Sequence, residues 1–238
     1  MSTMQPPAID SVLSVVARRV DWEWPWARAN RQAIAANFAR RTARQPAVYD
    51  GDVLLARNVR VENDLCSLAL FPVKYSELLG AIDLEAAEYE VWNSFAMGIL
   101  NTADNAYVCA VMGPHTANAG KIYFPAGTPD LSDCRPDGSV DMAGSLLREL
   151  EEETGIGDGF QVDSQWLVIR CWPALALMRL VRFDCSAGQL AARIETAVAA
   201  QSEPELSGAK IVRSRADIDP ARMPRYLQML FNHLLPPG

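Results

Sequence analysis

Short alternating or continuous apolar runs mark strands along this chain, and apolar positions recurring near every 3.6 residues mark helices. Residues 12–16 read as a strand and 27–44 as an amphipathic helix. Segments 47–50, 53–61 and 66–72 read as extended, and 75–82 and 84–92 carry helical patterns. From about Ser94 the chain becomes strand-rich. Residues 95–100 and 106–112 flank Asn101-Thr102-Ala103-Asp104-Asn105, a strong hairpin turn signal. A short strand at 121–124 leads into a glycine-containing loop and a helix, followed by strands at 166–171 and 176–183. A helix over 187–200, a strand at 210–212 and a helix over 223–235 close the chain. Nothing repeats. The pattern divides into an N-terminal accessory region, 1–93, and a domain of mixed strands and helices, 94–238.

The helix predicted over 142–154 breaks a local rule. Asp141 is a good N-cap and Gly155 a left-handed stop. At 100° per residue, Ala143, Leu146, Leu147, Leu150 and Thr154 share a stripe that can pack on a core. Glu149, Glu152 and Glu153 sit at i, i+3 and i+4 on another face, with Glu151 pointing elsewhere as a bystander. These carboxylates crowd the C-terminal end of a helix, where unpaired carbonyls already disfavour an anion. A cost without structural gain points to function. Three convergent carboxylates make a hard oxygen site of the kind Mg²⁺ or Mn²⁺ accepts.

The order of residues is more specific still. Arg148-Glu149-Leu150, Glu152-Glu153 and Gly155-Ile156, closing a helix and preceded by Phe124-Pro125-Ala126-Gly127, resembles the signature of the Nudix hydrolases. The second half of that signature is matched at every defined position. The first half departs from it. The family pattern has thirteen residues between its glycine and the Arg, and here twenty (128–147) separate Gly127 from Arg148. An insertion over about 128–138 accounts for the difference, and its Pro, Asp, Ser and Gly content suits a surface loop. Counting back from Arg148 puts Val140 where the family has a Glu, which is absent or replaced by Asp137 or Asp141.

The resemblance implies a Nudix-type α/β/α sandwich with a mixed sheet, and hydrolysis of the diphosphate bond in a nucleoside diphosphate linked to another group. It implies Mg²⁺ or Mn²⁺ on Glu149, Glu152 and Glu153, joined by the backbone carbonyl of Ala126. The catalytic set it suggests is Glu205 or Glu153 as proton acceptor, with Arg148 holding a carboxylate in place. Glu205 is chosen because Glu203-Pro204-Glu205-Leu206 follows the penultimate helix, where some family members supply another Glu; Glu203 is second. The long N-terminal region, the insertion and the Asp141-Met142-Ala143-Gly144 helix start are similar to the nucleotide-sugar branch that hydrolyses UDP-glucose. ADP-ribose, coenzyme A and dinucleotides stay open as substrates. The competing reading is a Nudix-fold binding module without turnover, supported by Val140.

Other features narrow the picture less. The run from Trp22 to Trp26 can stack on a base, but aromatics more often anchor a helix by the area they bury. Lys121, Arg170, Arg179 and Arg182 lie on strands near the expected pocket and are candidates for phosphate. The loop 113–120 offers only Pro114 and His115 where family members often place a basic residue. At 238 residues and 50% hydrophobic, the chain can bury a sizeable core. A net charge of -7 with no long basic run argues against nucleic acid and an anionic membrane as partners. Five scattered cysteines and two histidines give little support to zinc or a His-based triad. No signal-peptide pattern and no apolar run of about 18 residues occurs, so a cytoplasmic enzyme is expected. The resemblance implies a small nucleotide as the partner, and a homodimer formed through the N-terminal region.

Overall fold

The computed structural model describes residues 6–46, 48–86 and 91–237. In chain order the elements are β1 (Ala8–Val12), β2 (Ser14–Arg19), α1 (Pro25–Ala29), α2 (Arg31–Arg44), β3 (Asp52–Glu62), β4 (Leu65–Lys74) and α3 (Tyr75–Asp83). Then come β5 (Asn93–Thr102), β6 (Tyr107–Met112), β7 (Ile122–Tyr123), β8 (Ala126–Gly127), β9 (Ser139–Val140) and α4 (Met142–Thr154). The chain ends with β10 (Phe160–Cys171), β11 (Ala174–Phe183), α5 (Ala187–Ala200), β12 (Leu206–Val212) and α6 (Arg225–Leu234).

Two mixed sheets form. The larger runs β1-β10-β11-β5-β6-β12, with β7 paired to β6 and β8 to β5; the smaller runs β3-β4-β2-β9. The β11–β5 and β2–β4 pairs are parallel. Strand β5 is the centre of the larger sheet, and its continuous apolar run is buried on both faces, as a sheet covered on both sides requires. Its alternation decides the layers. A Cβ placed on Gly98 would meet Val181 and, beyond it, Leu146 of α4, whereas the Phe95 ring packs 5.3 Å from Tyr226 of α6. Helices α4 and α6 therefore cover opposite faces. The result is the α/β/α sandwich the sequence predicts.

Several elements differ in extent from the expectation. The strand expected at 12–16 is two strands in different sheets, because the chain turns at Leu13, whose N–H and that of Ser14 both donate to the Asp64 carbonyl. The helix expected over 27–44 starts at Pro25 and breaks at Asn30, whose side-chain amide donates to the Trp26 carbonyl. Within 84–92 the described residues are not helical: Leu84 caps α3, Glu85 takes a left-handed φ of 49°, and Trp92 bridges to Ala56. Residues 87–90 lie outside the described residues, as does Ala47 of the segment 47–50, whose remainder is irregular. The tryptophan run anchors its helix: Trp24 is buried, and Trp22 meets Phe71 edge-on at 4.6 Å.

The inserted segment 128–138 is a surface loop containing a single 3-10 turn at Leu131–Asp133, and it delivers the chain into β9 on the smaller sheet. Val140 pairs there with Ala17 and is buried, so its apolar side chain completes a strand. Among the described residues no helix is long and apolar enough to cross a membrane.

Candidate active site

Helix α4 forms as its sequence dictates. The Asp141 side chain accepts from the Gly144 N–H at 2.9 Å, and Gly155 takes φ 68°, its N–H reaching the Glu151 carbonyl. Leu146, Leu150 and Thr154 are buried, and each of the two leucines contributes roughly 1.5–3 kcal/mol by leaving water. Leu147 is not on the buried stripe; it is 41% exposed, and Ser145 and Glu153 are buried instead. The real stripe is rotated toward 142, 146, 150 and 153. That rotation carries one carboxylate of the acidic trio into the protein.

The trio therefore spans a gradient of burial: Glu153 is buried, the Glu149 side chain is 14% exposed, and that of Glu152 is 60% exposed. Glu153 Oε1 accepts from the Ala126 N–H at 3.2 Å, while its Oε2 is buried without a hydrogen-bond partner. Burial pushes the Glu153 carboxyl up to about 8, against the pull of the Ala126 N–H, and the charges of Glu205, Glu149 and Glu152 push it further. Burial also raises Glu149, partly offset by Arg148. Gly127 explains the short loop. A Cβ there would stand 2.3 Å from Glu149 Oε1, so only glycine lets this carboxylate lie against the backbone.

Arg148 is the counter-charge. Its Nη1 lies 2.8 Å from Glu149 and 3.2 Å from Glu152, and its Nη2 donates to Asp133 Oδ1 at 3.0 Å. Asp133, on the inserted loop, is buried, and nothing in the helix signature points to it. The two replacements expected for the upstream Glu are engaged elsewhere. Asp137 accepts from Ser139 in its own turn, and Asp141 caps α4 and pairs with Arg135. A signal for Asp133 existed in Asp130-Leu131-Ser132-Asp133: Asp130 accepts from Ser132 N–H and Asp133 from Asp130 N–H.

Glu205 sits exposed on the loop between α5 and β12, its charge felt by both Glu153 and Tyr123; Glu203 shares that loop. The loop is fastened to α4 by Gln201, whose amide donates to the Glu152 carbonyl. Glu149, Glu152, Glu153 and Glu205 thus share one electrostatic neighbourhood around Ala126 and Gly127. Among the described residues no three His, Cys, Asp or Glu side chains close on a single ion position, since Arg148 engages two of the carboxylates. The donor set nevertheless suits a hard divalent cation: carboxylate oxygens, with one buried oxygen left without a partner.

Two hollows flank this neighbourhood. One, of about 370 Å³, is bounded by Ala126 and Gly127, the rings of Tyr123, Trp172 and Tyr226, and the cations Lys121 and Arg225. The other, of about 980 Å³, is an open groove along Tyr49, His115, Glu203 and Glu205. Of the four basic residues expected near phosphate, Lys121 lines the smaller of these two hollows and the three arginines line neither. Arg170 pairs with Asp10, Arg182 with Asp163, and Arg179 donates to the Asp163 carbonyl. Arg225, which opens α6, joins Lys121 at the smaller hollow, and no strand pattern marks it.

No protein-family description matches the sequence, and no curated protein does. Among solved structures, the chain is similar to the MutT protein from Methanosarcina mazei Go1, at 13% identity and a TM-score of 0.34, over 60% of this chain and 92% of that one. It is also similar to RenU, a Nudix hydrolase from M. smegmatis, at 10% identity and a TM-score of 0.38, over 60% and 83% of the two chains. The chemistry of this chain rests on its own residues.

Proposed function

We propose that this chain is a divalent-metal-dependent, Nudix-type pyrophosphohydrolase acting on a nucleoside diphosphate linked to another group, nucleotide sugars among them. The observation that carries the reading is Glu153: a carboxylate buried against the glycine loop, with one oxygen unpartnered and three other glutamates around it. Such a group has a standing electrostatic cost that a cation removes. Glu149, Glu152 and Glu153, with the backbone at Ala126, are the residues that would hold Mg²⁺ or Mn²⁺. A bound ion of that kind supplies neutralisation of the diphosphate and a water of lowered pKa.

The remaining work falls to the chain. Glu205 is exposed while its backbone is held in place, its carbonyl accepting from the Gly113 N–H at 2.7 Å and Gln201 tying the start of the loop to α4. It accepts the proton of the attacking water, with Glu153 as the other candidate. Arg148 keeps Glu149 and Glu152 oriented while Asp133 keeps Arg148 oriented. The products are a nucleoside monophosphate and a phosphorylated remainder. The test is a panel of UDP-glucose, ADP-ribose and NADH with Mg²⁺ or Mn²⁺, read by product analysis. Hydrolysis that falls about 100-fold or more in Glu153→Gln supports the reading. Tight binding with no product, unchanged by Glu152→Gln or Glu153→Gln, replaces it with a binding module.

A further inference from the structure

The smaller hollow has the composition of a site for a planar ring carrying phosphate. Tyr123, Trp172 and Tyr226 contribute aromatic walls, and about 370 Å³ is within the range of small-ligand sites. Asn118 stands at its edge, and its amide nitrogen donates to the Tyr123 hydroxyl at 3.1 Å, which turns its oxygen into the acceptor offered to a ligand. Lys121 and Arg225 add positive charge; the Lys121 ammonium donates to the Ala221 carbonyl, a neutral partner. Helix α6 starts at this hollow with Pro224 as N-cap and no side-chain cap, so its first N–H groups add to the attraction for an anion.

Position ties this hollow to the acidic site. Ala126 and Gly127 line it on one side, while the same two residues meet Glu153 and Glu149 on the other. A diphosphate lying over the glycine loop has its nucleoside within reach of the aromatic walls. The larger groove has the opposite character, with Glu203 and Glu205 on its border and no Lys or Arg among the residues lining it. A nucleoside phosphate is repelled there and attracted to the smaller hollow.

We propose that the hollow bounded by Tyr123, Trp172, Tyr226, Asn118, Lys121 and Arg225 binds the base and first phosphate of the nucleoside half of the substrate. The proposal rests on the hydrolase reading, and its test is kept separate by working without metal. The protein in EDTA is titrated calorimetrically with UMP, AMP and ribose 5-phosphate. Both nucleotides bind about tenfold to a hundredfold more tightly than ribose 5-phosphate, because only they carry a ring to stack. Arg225→Ala weakens all three ligands together, and Asn118→Ala weakens the nucleotides alone; both side chains are exposed, so the fold is not at risk. The proposal is overturned if ribose 5-phosphate binds as tightly as the nucleotides, or if no nucleotide binds at millimolar concentration. Loss of nucleotide binding in Tyr49→Ala but not in the hollow's variants also overturns it and moves the ring to the groove. Hydrolysis of the panel with a KM unchanged in Arg225→Ala and Asn118→Ala sinks this proposal alone; tight nucleotide binding without hydrolysis sinks the enzymatic reading alone.

Discussion

Glu153 concentrates the physics of the site in one side chain. A free carboxyl has a pKa of 4.5, and burial lifts this one to about 8. Between those values the folded protein, without a cation, keeps a proton that the unfolded chain releases. The stability from this group is fully present below about pH 4.5 and is lost as pH rises through about 8. Glu153→Gln keeps an acceptor for the Ala126 N–H and removes the charge. In EDTA the variant should melt with the wild type near pH 4 and well above it at pH 9, the gap being of order a few kcal/mol. A wild type that stays the more stable at pH 9 would contradict the assignment of a buried, repelled carboxylate. Asp133 makes a second residue-level case. Asp133→Asn leaves Arg148 without its anchor, so kcat should fall about 10–100-fold, as when groups behind metal ligands are removed. The same change should lower stability by about 1–3 kcal/mol, because Asp133 is buried and also closes its own turn. A steady-state comparison with a parallel melt separates the two effects.

At the scale of elements, the glycine loop and α4 act as a pair, and Gly127 is where they touch. Its φ is not in the left-handed region, so alanine is acceptable to the backbone, but the new Cβ would displace the Glu149 carboxylate. Gly127→Ala should therefore weaken Mg²⁺ binding about tenfold or more while shifting the melting temperature little, measured by cation titration and thermal melt together. This pairing also shows what the sequence could and could not reveal. Helix α4 was legible with its caps, because Asp141, Gly155 and the Leu146/Leu150 spacing are local signals. Its rotation was not: Leu147 and Glu153 compete for the buried side, and only the sheet beneath decides between them. The insertion at 128–138 was legible from composition and spacing, but Asp133 was not, since its partner Arg148 lies fifteen residues on. The split of 12–16 into two strands escaped for the same reason. Which sheet each half joins depends on β10 and β4, far away in sequence.

Across the whole molecule the two sheets are laced together rather than placed side by side. Strand β1 completes the larger sheet and β2, after Leu13 alone, enters the smaller one; β9 returns the chain from the glycine loop to that smaller sheet. The loop that carries Asp133 is thus held at both ends, with the Pro129 carbonyl accepting from Leu54 N–H and Val140 paired to Ala17. Strain or loosening in the smaller sheet therefore reaches Arg148 through Asp133, and the site and both sheets should melt in one transition. A cation that binds the folded chain alone would raise that transition by mass action. At a hundredfold excess over the dissociation constant the gain is about 2.7 kcal/mol, or roughly 5–10 °C for a chain of this size. Because binding must displace the proton held on Glu153, the shift should be largest above about pH 8 and shrink as pH falls toward 5. Calorimetric scans with Mg²⁺ against EDTA at three pH values check both statements. A shift of equal size at every pH, or one that survives in Glu153→Gln, would place the cation away from this carboxylate. Two transitions, only one of them moved by Mg²⁺, would mean that the lacing of the sheets does not couple them.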